Sequence, residues 1–209
     1  ILGSQYEYGY GGVEQDEEEA VYWYRKMADM GYAVGQYALG NCYLEGKGVE
    51  QDLARAVNWY RKAAEQDDGS SQAILADCYY EGRGVEKNEE EAFLWMHKAA
   101  EKDALDSRLK LGLYHAAGVG VTKNQMLAVD WIRKAAENNS ALSQCILGLS
   151  YIRGYGVTRN YQDAIPWLCK AAESFSMQAG DFNSTGLSGL LIRAGMDGDV
   201  IYLTTFGIY

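Results

Sequence analysis

The chain has 209 residues, 48% of them hydrophobic, enough for one large domain or a short array of repeated units with a buried core. Its 29 acidic and 19 basic residues give a formal charge of −10, which argues against nucleic acid or an anionic membrane surface as partner. No apolar run approaches the ~18 residues that a membrane-spanning helix needs, so no membrane span is expected.

The chain begins at Ile1, which reads as a fragment or a processed product. Its opening, ILGSQYEYGYGGV, looks like the tail of a helix that stops at a glycine-rich turn. From there one pattern recurs. Gly-Val pairs stand at Gly12, Gly48, Gly84, Gly120 and Gly156, and all five tryptophans at Trp23, Trp59, Trp95, Trp131 and Trp167. An alanine precedes each tryptophan by three residues, from Ala20 to Ala164, and every spacing is 36.

Asp16, Asp52, Asn88, Asn124 and Asn160 each follow the glycine by four residues and stand just before an apolar-periodic run. They are read as helix N-caps, each worth ~1 kcal/mol. Asp16 with Glu19, and Asn88 with Glu91, also have the spacing of a capping box. The run that follows, helix B, is apolar at i, i+3, i+4, i+7 and i+8, as in Ala56, Trp59, Tyr60, Ala63 and Ala64. It is expected to end at Gly31, Asp67, Asp103 and Asn139, residue types that tolerate a left-handed conformation. A second, shorter helix, A, should follow, carrying Leu39, Leu75, Leu111 and Leu147 and stopping at the next glycine pair. Two helices of this size cannot bury their faces alone, so the units must stack.

The pattern Leu-Gly-x-x-Tyr-x-x-Gly-x-Gly-Val, then Asp or Asn, then Ala-x-x-Trp-x-x-Lys-Ala-Ala-Glu, resembles the Sel-1-like repeat, a relative of the tetratricopeptide repeat. LGNCYLEGKGVEQDLARAVNWYRKAAE, Leu39–Glu65, matches it best. The resemblance implies an all-α, right-handed α/α solenoid of 36-residue helix pairs over residues 1–174, and an adaptor scaffold as function. It also implies that helix A lines the concave surface. Residues 175–209 depart from the pattern and are read as a divergent cap or irregular tail: Phe175 stands where a turn residue belongs, and Pro166 interrupts the fifth helix B.

Chemical motifs are absorbed by the repeat. GNCYLEGKG lacks the spacing and the Ser/Thr of a phosphate loop. His97 takes the place of Arg61 and Arg133, and His115 that of Tyr43 and Tyr79; no carboxylate or cysteine shares a ligand spacing with them, so no metal is expected. Glu17–Glu19 and Glu89–Glu91 fall in first turns, where the helix dipole favours them. Cys42 and Cys78 are repeat-equivalent on helices packed too far apart to bridge. Cys145 stands at an apolar position, and Cys169 completes the set. Some secreted members of the family link helix B to the next helix A by two close cysteines, a pairing missing here. Reduced thiols favour a cytoplasmic location, with the periplasm or secretion open if a signal peptide preceded Ile1. No nucleophile with its base is present, so no enzyme and no cofactor are expected.

The informative positions are those that vary between units. On helix A, one i, i+4 pair reads Asn41/Glu45, Asp77/Glu81, Leu113/Ala117 and Leu149/Arg153 in successive units. These form a stripe, acidic in its first half and apolar in its second, ending in Arg153. It suits a peptide or protein partner with a basic end and an apolar end, bound by a monomeric array, and charge reversal at Glu45 and Glu81 is expected to weaken binding. The alternative is a cell-envelope glycan or peptidoglycan binder, with tyrosines stacking on sugars.

Overall fold

The computed structural model describes residues 2–102, 104, 106–178, 190–192 and 201–203. Its helices are α1 (Leu2–Tyr8), α2 (Glu17–Asp29), α3 (Ala33–Glu45), α4 (Leu53–Ala64), α5 (Gly69–Glu81), α6 (Glu89–Glu101), α7 (Ser107–Ala117), α8 (Gln125–Glu137), α9 (Ala141–Arg153) and α10 (Tyr161–Gln178). Each packs chiefly on its neighbours in sequence, which is the contact pattern of a solenoid. Even-numbered helices are the B helices and odd-numbered ones the A helices. Helix A is the shorter of the two in only two complete units, α7 with 11 residues before α8 with 13 and α9 with 13 before α10 with 18. In the others α3 has 13 against 12 in α4, and α5 and α6 have 13 each.

All five expected caps form. Asp16, Asp52, Asn88, Asn124 and Asn160 accept hydrogen bonds from backbone N–H groups two or three residues on. The capping boxes do not close. The N–H groups of Asp16 and Asn88 donate instead to the carbonyls of Tyr6 and Tyr79, both at 2.9 Å, tying each B helix to the A helix before it. Asp52, Asn124 and Asn160 repeat this tie with Tyr43, His115 and Tyr151. Glu91, freed from the box, accepts from Trp95 Nε1 at 3.1 Å.

The B-to-A turns take the left-handed conformation at Gly31 (φ +88°), Asp67 (+64°) and Asn139 (+62°). Asp103 lies outside the described residues. No such turn forms at Phe175: α10 runs through it to Gln178 with Pro166 inside. Beyond it, two short strands, β1 (Leu190–Ile192) and β2 (Ile201–Leu203), pair antiparallel with Leu191 opposite Tyr202.

Packing follows the repeat. Ala20, Ala56, Ala92, Ala128 and Ala164 are buried, as are Leu39, Leu75, Leu111 and Leu147. The tryptophans are only half-buried, and a lysine three residues on lies over each ring, from 3.8 Å for Lys134 on Trp131 to 5.0 Å for Lys26 on Trp23. The Lys of the motif therefore covers the wet face of the Trp. Gln36, Gln72 and Gln144 reach back from helix A to donate to the carbonyls of Ala28, Ala64 and Ala136, and Arg108 does the same to Ala100.

Candidate functional site

The stripe of variable helix A residues divides in two. Its first half is charge-matched. Glu45 pairs with Lys47, and Glu81 with Arg83 at 2.6 Å. Asp77 on α5 pairs with Lys110 on α7 at 2.6 Å, bridging two adjacent A helices. Asn41 accepts from the Tyr60 hydroxyl at 2.7 Å and so serves to fix α3 on α4. Glu45 and Glu81 stay half exposed in these pairs, whereas Asp77 is the more covered.

The second half builds a hollow. Leu113, Leu149 and Arg153 converge on one apolar depression between α7 and α9, floored by α8. Ala117 does not line it; its neighbour Ala116 does. Leu149 is buried in the wall, whereas Leu113 is 45% exposed at the rim.

Comparing equivalent positions one unit apart explains the space. Between α5 and α7, Tyr80 and Tyr114 pack ring on ring with centroids 5.5 Å apart. One unit later the same positions are Ala116 and Ser150, both in the lining. The bridge Asp77–Lys110 becomes Leu113 and Ile146, and the floor position occupied by Met96 in α6 becomes Ile132 in α8. Loss of side-chain volume at adjacent positions opens a hollow of about 90 Å³. Sequence reasoning found Leu113, Leu149 and Arg153 but missed Ala116, Ser150, Ile132 and Ile146. The signal that could have found them is the fall from Tyr to Ala and Ser in two columns of the repeat.

Among the described residues the lining holds no carboxylate, and Arg153 is its one charged residue. The Arg153 guanidinium lies 5.9 Å from the Tyr155 ring centroid and has no ion pair among the described residues. Tyr155 and Gln125, the first residue of α8, also line the hollow.

A second departure sits behind α7. Arg25, Arg61 and Arg133 donate to the hydroxyls of Tyr43, Tyr79 and Tyr151 at 3.2, 2.8 and 3.3 Å. In the remaining unit both members change together, to His97 and His115. Their rings join Phe93 and Trp131: Phe93 meets His115 edge-on at 5.3 Å, and His97 meets Trp131 at 5.6 Å. His115 is buried with Nδ1 unpartnered, and burial, then neighbouring His97, lowers its pKa.

Cys42, Cys78, Cys145 and Cys169 are all free thiols. Burial pushes the first three up, Cys42 to about 11 with Glu7 adding to the shift, so these are unreactive apolar fillers. Among the described residues no cluster of three or more His, Cys, Asp or Glu side chains could hold a metal, and no helix is long and apolar enough to cross a membrane.

A stack of two-helix units whose shared positions serve packing, with a hollow where they diverge, defines a repeat scaffold. The chain belongs to the Sel1 repeat family, whose model matches residues 1–32, 33–68, 69–103, 105–140 and 141–174. Repeats of this family are generally protein–protein interaction modules on non-enzymatic scaffolds. No curated protein matches the chain. Among solved structures it is similar to c5321, a protective antigen present in uropathogenic Escherichia coli strains displaying an SLR fold. That match has a TM-score of 0.80 and 40% identity over 82% of this chain and 37% of the other, so the present chain spans little over a third of that protein. It is also similar to a Sel1 repeat protein from Oxalobacter formigenes, with a TM-score of 0.79 and 32% identity over 85% of this chain and 74% of that one. Helicobacter pylori cysteine rich protein B matches at a TM-score of 0.51 and 28% identity, over 66% of this chain and 98% of its own.

Proposed function

We infer that this chain is a non-enzymatic interaction scaffold that holds an apolar segment of a protein partner on its helix A face, in the hollow between α7 and α9. The observation that carries the reading is the replacement of the packed Tyr80–Tyr114 pair by Ala116 and Ser150, which leaves an open apolar depression between α7 and α9. A family of interaction modules supplies the class of partner. The pairing of Glu45 and Glu81 with adjacent cations moves the expected contact away from the acidic half of the stripe. Among the repeat-position tyrosines, Tyr43, Tyr79 and Tyr151 accept from arginines and Tyr60 donates to Asn41, which assigns these four a packing role, while Tyr8, Tyr10, Tyr22, Tyr32, Tyr80 and Tyr161 are exposed. Residues 1–174 are read as the array, acting as a monomer, and 175–209 as a divergent cap or irregular tail.

The test is a display selection of random heptapeptides on the wild-type chain, with the recovered peptides then measured on Ala116→Tyr/Ser150→Tyr. That variant rebuilds the side-chain pair of the preceding unit, so it is expected to fold while losing the peptides. Equal affinity for both proteins would refute the hollow as the site.

A further inference from the structure

The helix A face carries an asymmetry of charge that bears on what the hollow selects; the inference rests on the reading of the hollow as a peptide site. The chain holds 29 acidic residues against 19 basic ones, yet none of the residues lining the hollow is acidic. Along the rest of the stripe the acids are spoken for: Glu45 by Lys47, Asp77 by Lys110, Glu81 by Arg83. At the position of Glu45 and Glu81 the last A helix instead carries Arg153, with no ion pair among the described residues. The turn after it sits on the first turn of α8, where a Cβ at Gly156 would stand 2.1 Å from the Gln125 carbonyl oxygen. That contact brings Tyr155 and Gln125, both potential hydrogen-bond donors, to the Arg153 end of the hollow. An apolar cavity with its donors and its single cation at one end is complementary to an apolar side chain beside an anion.

We propose that the hollow recognises a peptide bearing a large apolar side chain and, about two residues further on, a carboxylate that pairs with Arg153. The spacing follows from α9. Leu149 in the wall and Arg153 at the rim are four residues apart, about 6 Å along the helix, and an extended peptide advances ~3.3 Å per residue. The carboxylate is that of a Glu or Asp side chain in the partner. Arg153 is the specificity-determining residue, because Leu113, Ile146 and Leu149 accept any apolar group of suitable size, whereas only Arg153 reads a charge.

The experiment uses fluorescein-labelled peptides and anisotropy on the whole chain. The probe is an amidated Gly/Ser peptide carrying Phe-Ser-Glu; companions replace its Glu by Gln or its Phe by Ser, and a fourth ends in Phe-Ser with a free carboxylate. Wild type should bind the Glu peptide about tenfold more tightly than the Gln peptide, with the advantage shrinking as salt rises. Arg153→Gln should bind the two alike, and Ala116→Tyr/Ser150→Tyr should bind neither. Tighter binding of the free-carboxylate peptide than of the Glu peptide overturns the side-chain source in favour of a chain terminus. Equal binding of the Glu and Gln peptides by wild type, or a Glu preference surviving in Arg153→Gln, overturns the carboxylate inference but leaves the hollow standing. Equal binding of the Ser-for-Phe peptide, or no binding of any probe at millimolar concentration, overturns the hollow itself.

Discussion

Two glycines in EGRGVE, Gly82 and Gly84, look interchangeable in sequence and should respond very differently to substitution. Both have positive φ, +74° and +68°, so an alanine at either meets the left-handed penalty of about 1–2 kcal/mol. At Gly82 that is nearly the whole cost, because an added Cβ would make an ordinary contact with Lys87 Cβ at 3.4 Å. At Gly84 the same Cβ would stand 2.3 Å from the Leu53 carbonyl oxygen and 2.5 Å from its carbon, backbone atoms in the first turn of α4. Relieving that overlap means pushing one unit off the previous one, an overpacking cost of about 1–3 kcal/mol more. Gly82→Ala should therefore lose about 1–2 kcal/mol, and Gly84→Ala about 2–5. At about 3 °C per kcal/mol for a chain of this size, Tm falls by roughly 3–6 °C in the first variant and roughly 6–15 °C in the second. Urea denaturation followed by circular dichroism, with thermal melts alongside, measures both. Asparagine separates the causes: Gly82→Asn should recover part of the loss, since Asn visits the left-handed region, and Gly84→Asn should recover none. Equal losses at the two sites, or rescue by Asn at both, would refute the assignment of Gly84 to close interunit approach.

Four further outcomes are expected. The double change His97→Arg/His115→Tyr restores the Arg–Tyr pair of the other units and should be more stable than the two single variants predict together; additive denaturation midpoints would show that no such pair forms. His115 has a lowered pKa in the folded chain, so its neutral form contributes stability that is full above the unfolded imidazole value of about 6.5 and is lost as pH falls from there toward the folded pKa. Melts from pH 7.5 to 5 should show a decline that His115→Phe diminishes, and an unchanged profile in that variant would count against it. Tyr60→Phe leaves the part-buried Asn41 without its donor and should cost about 1 kcal/mol in denaturant, whereas Glu45→Lys/Glu81→Lys, remote from the hollow, should leave peptide binding unchanged.

The repeat made most of the fold legible. Ala20 and Trp23, Asp52 and Gly84 recur because each solves a local problem, and a period of 36 exposes such solutions without any structure. What it could not expose was competition between solutions. Glu19 and Glu91 have the capping-box spacing, but the backbone N–H groups they would serve are taken by Tyr6 and Tyr79 from the preceding helix, a contact set by interhelix geometry. The stripe from Asn41 to Arg153 was legible as variation, and its charges were not legible as pairs. Lys110 is 33 residues from Asp77 and meets it only because adjacent A helices pack side by side. The hollow was hardest to foresee because it consists of what is missing. Ala116 and Ser150 are unremarkable residues in a helix, and they matter only beside Tyr80 and Tyr114.

The departures gather around α7. Its front face carries Leu113 and Ala116 to the hollow; its back carries His115 to the cluster with Phe93. It is also the shortest of the complete A helices, at 11 residues, and Asp106 before it, like Tyr32 before α3, makes no side-chain cap bond, whereas Asp68 before α5 and Ser140 before α9 do. In a solenoid, stability is close to a sum over units and the interfaces between them, so a weakly capped helix lowers the cost of local opening where it sits. A side chain that enters the hollow touches α7 and α9 together and gives that interface the packing which Tyr80 and Tyr114 supply one unit earlier. Ligand binding and the stability of the α7–α9 interface are then two readings of one contact: what fills the hollow also closes the array.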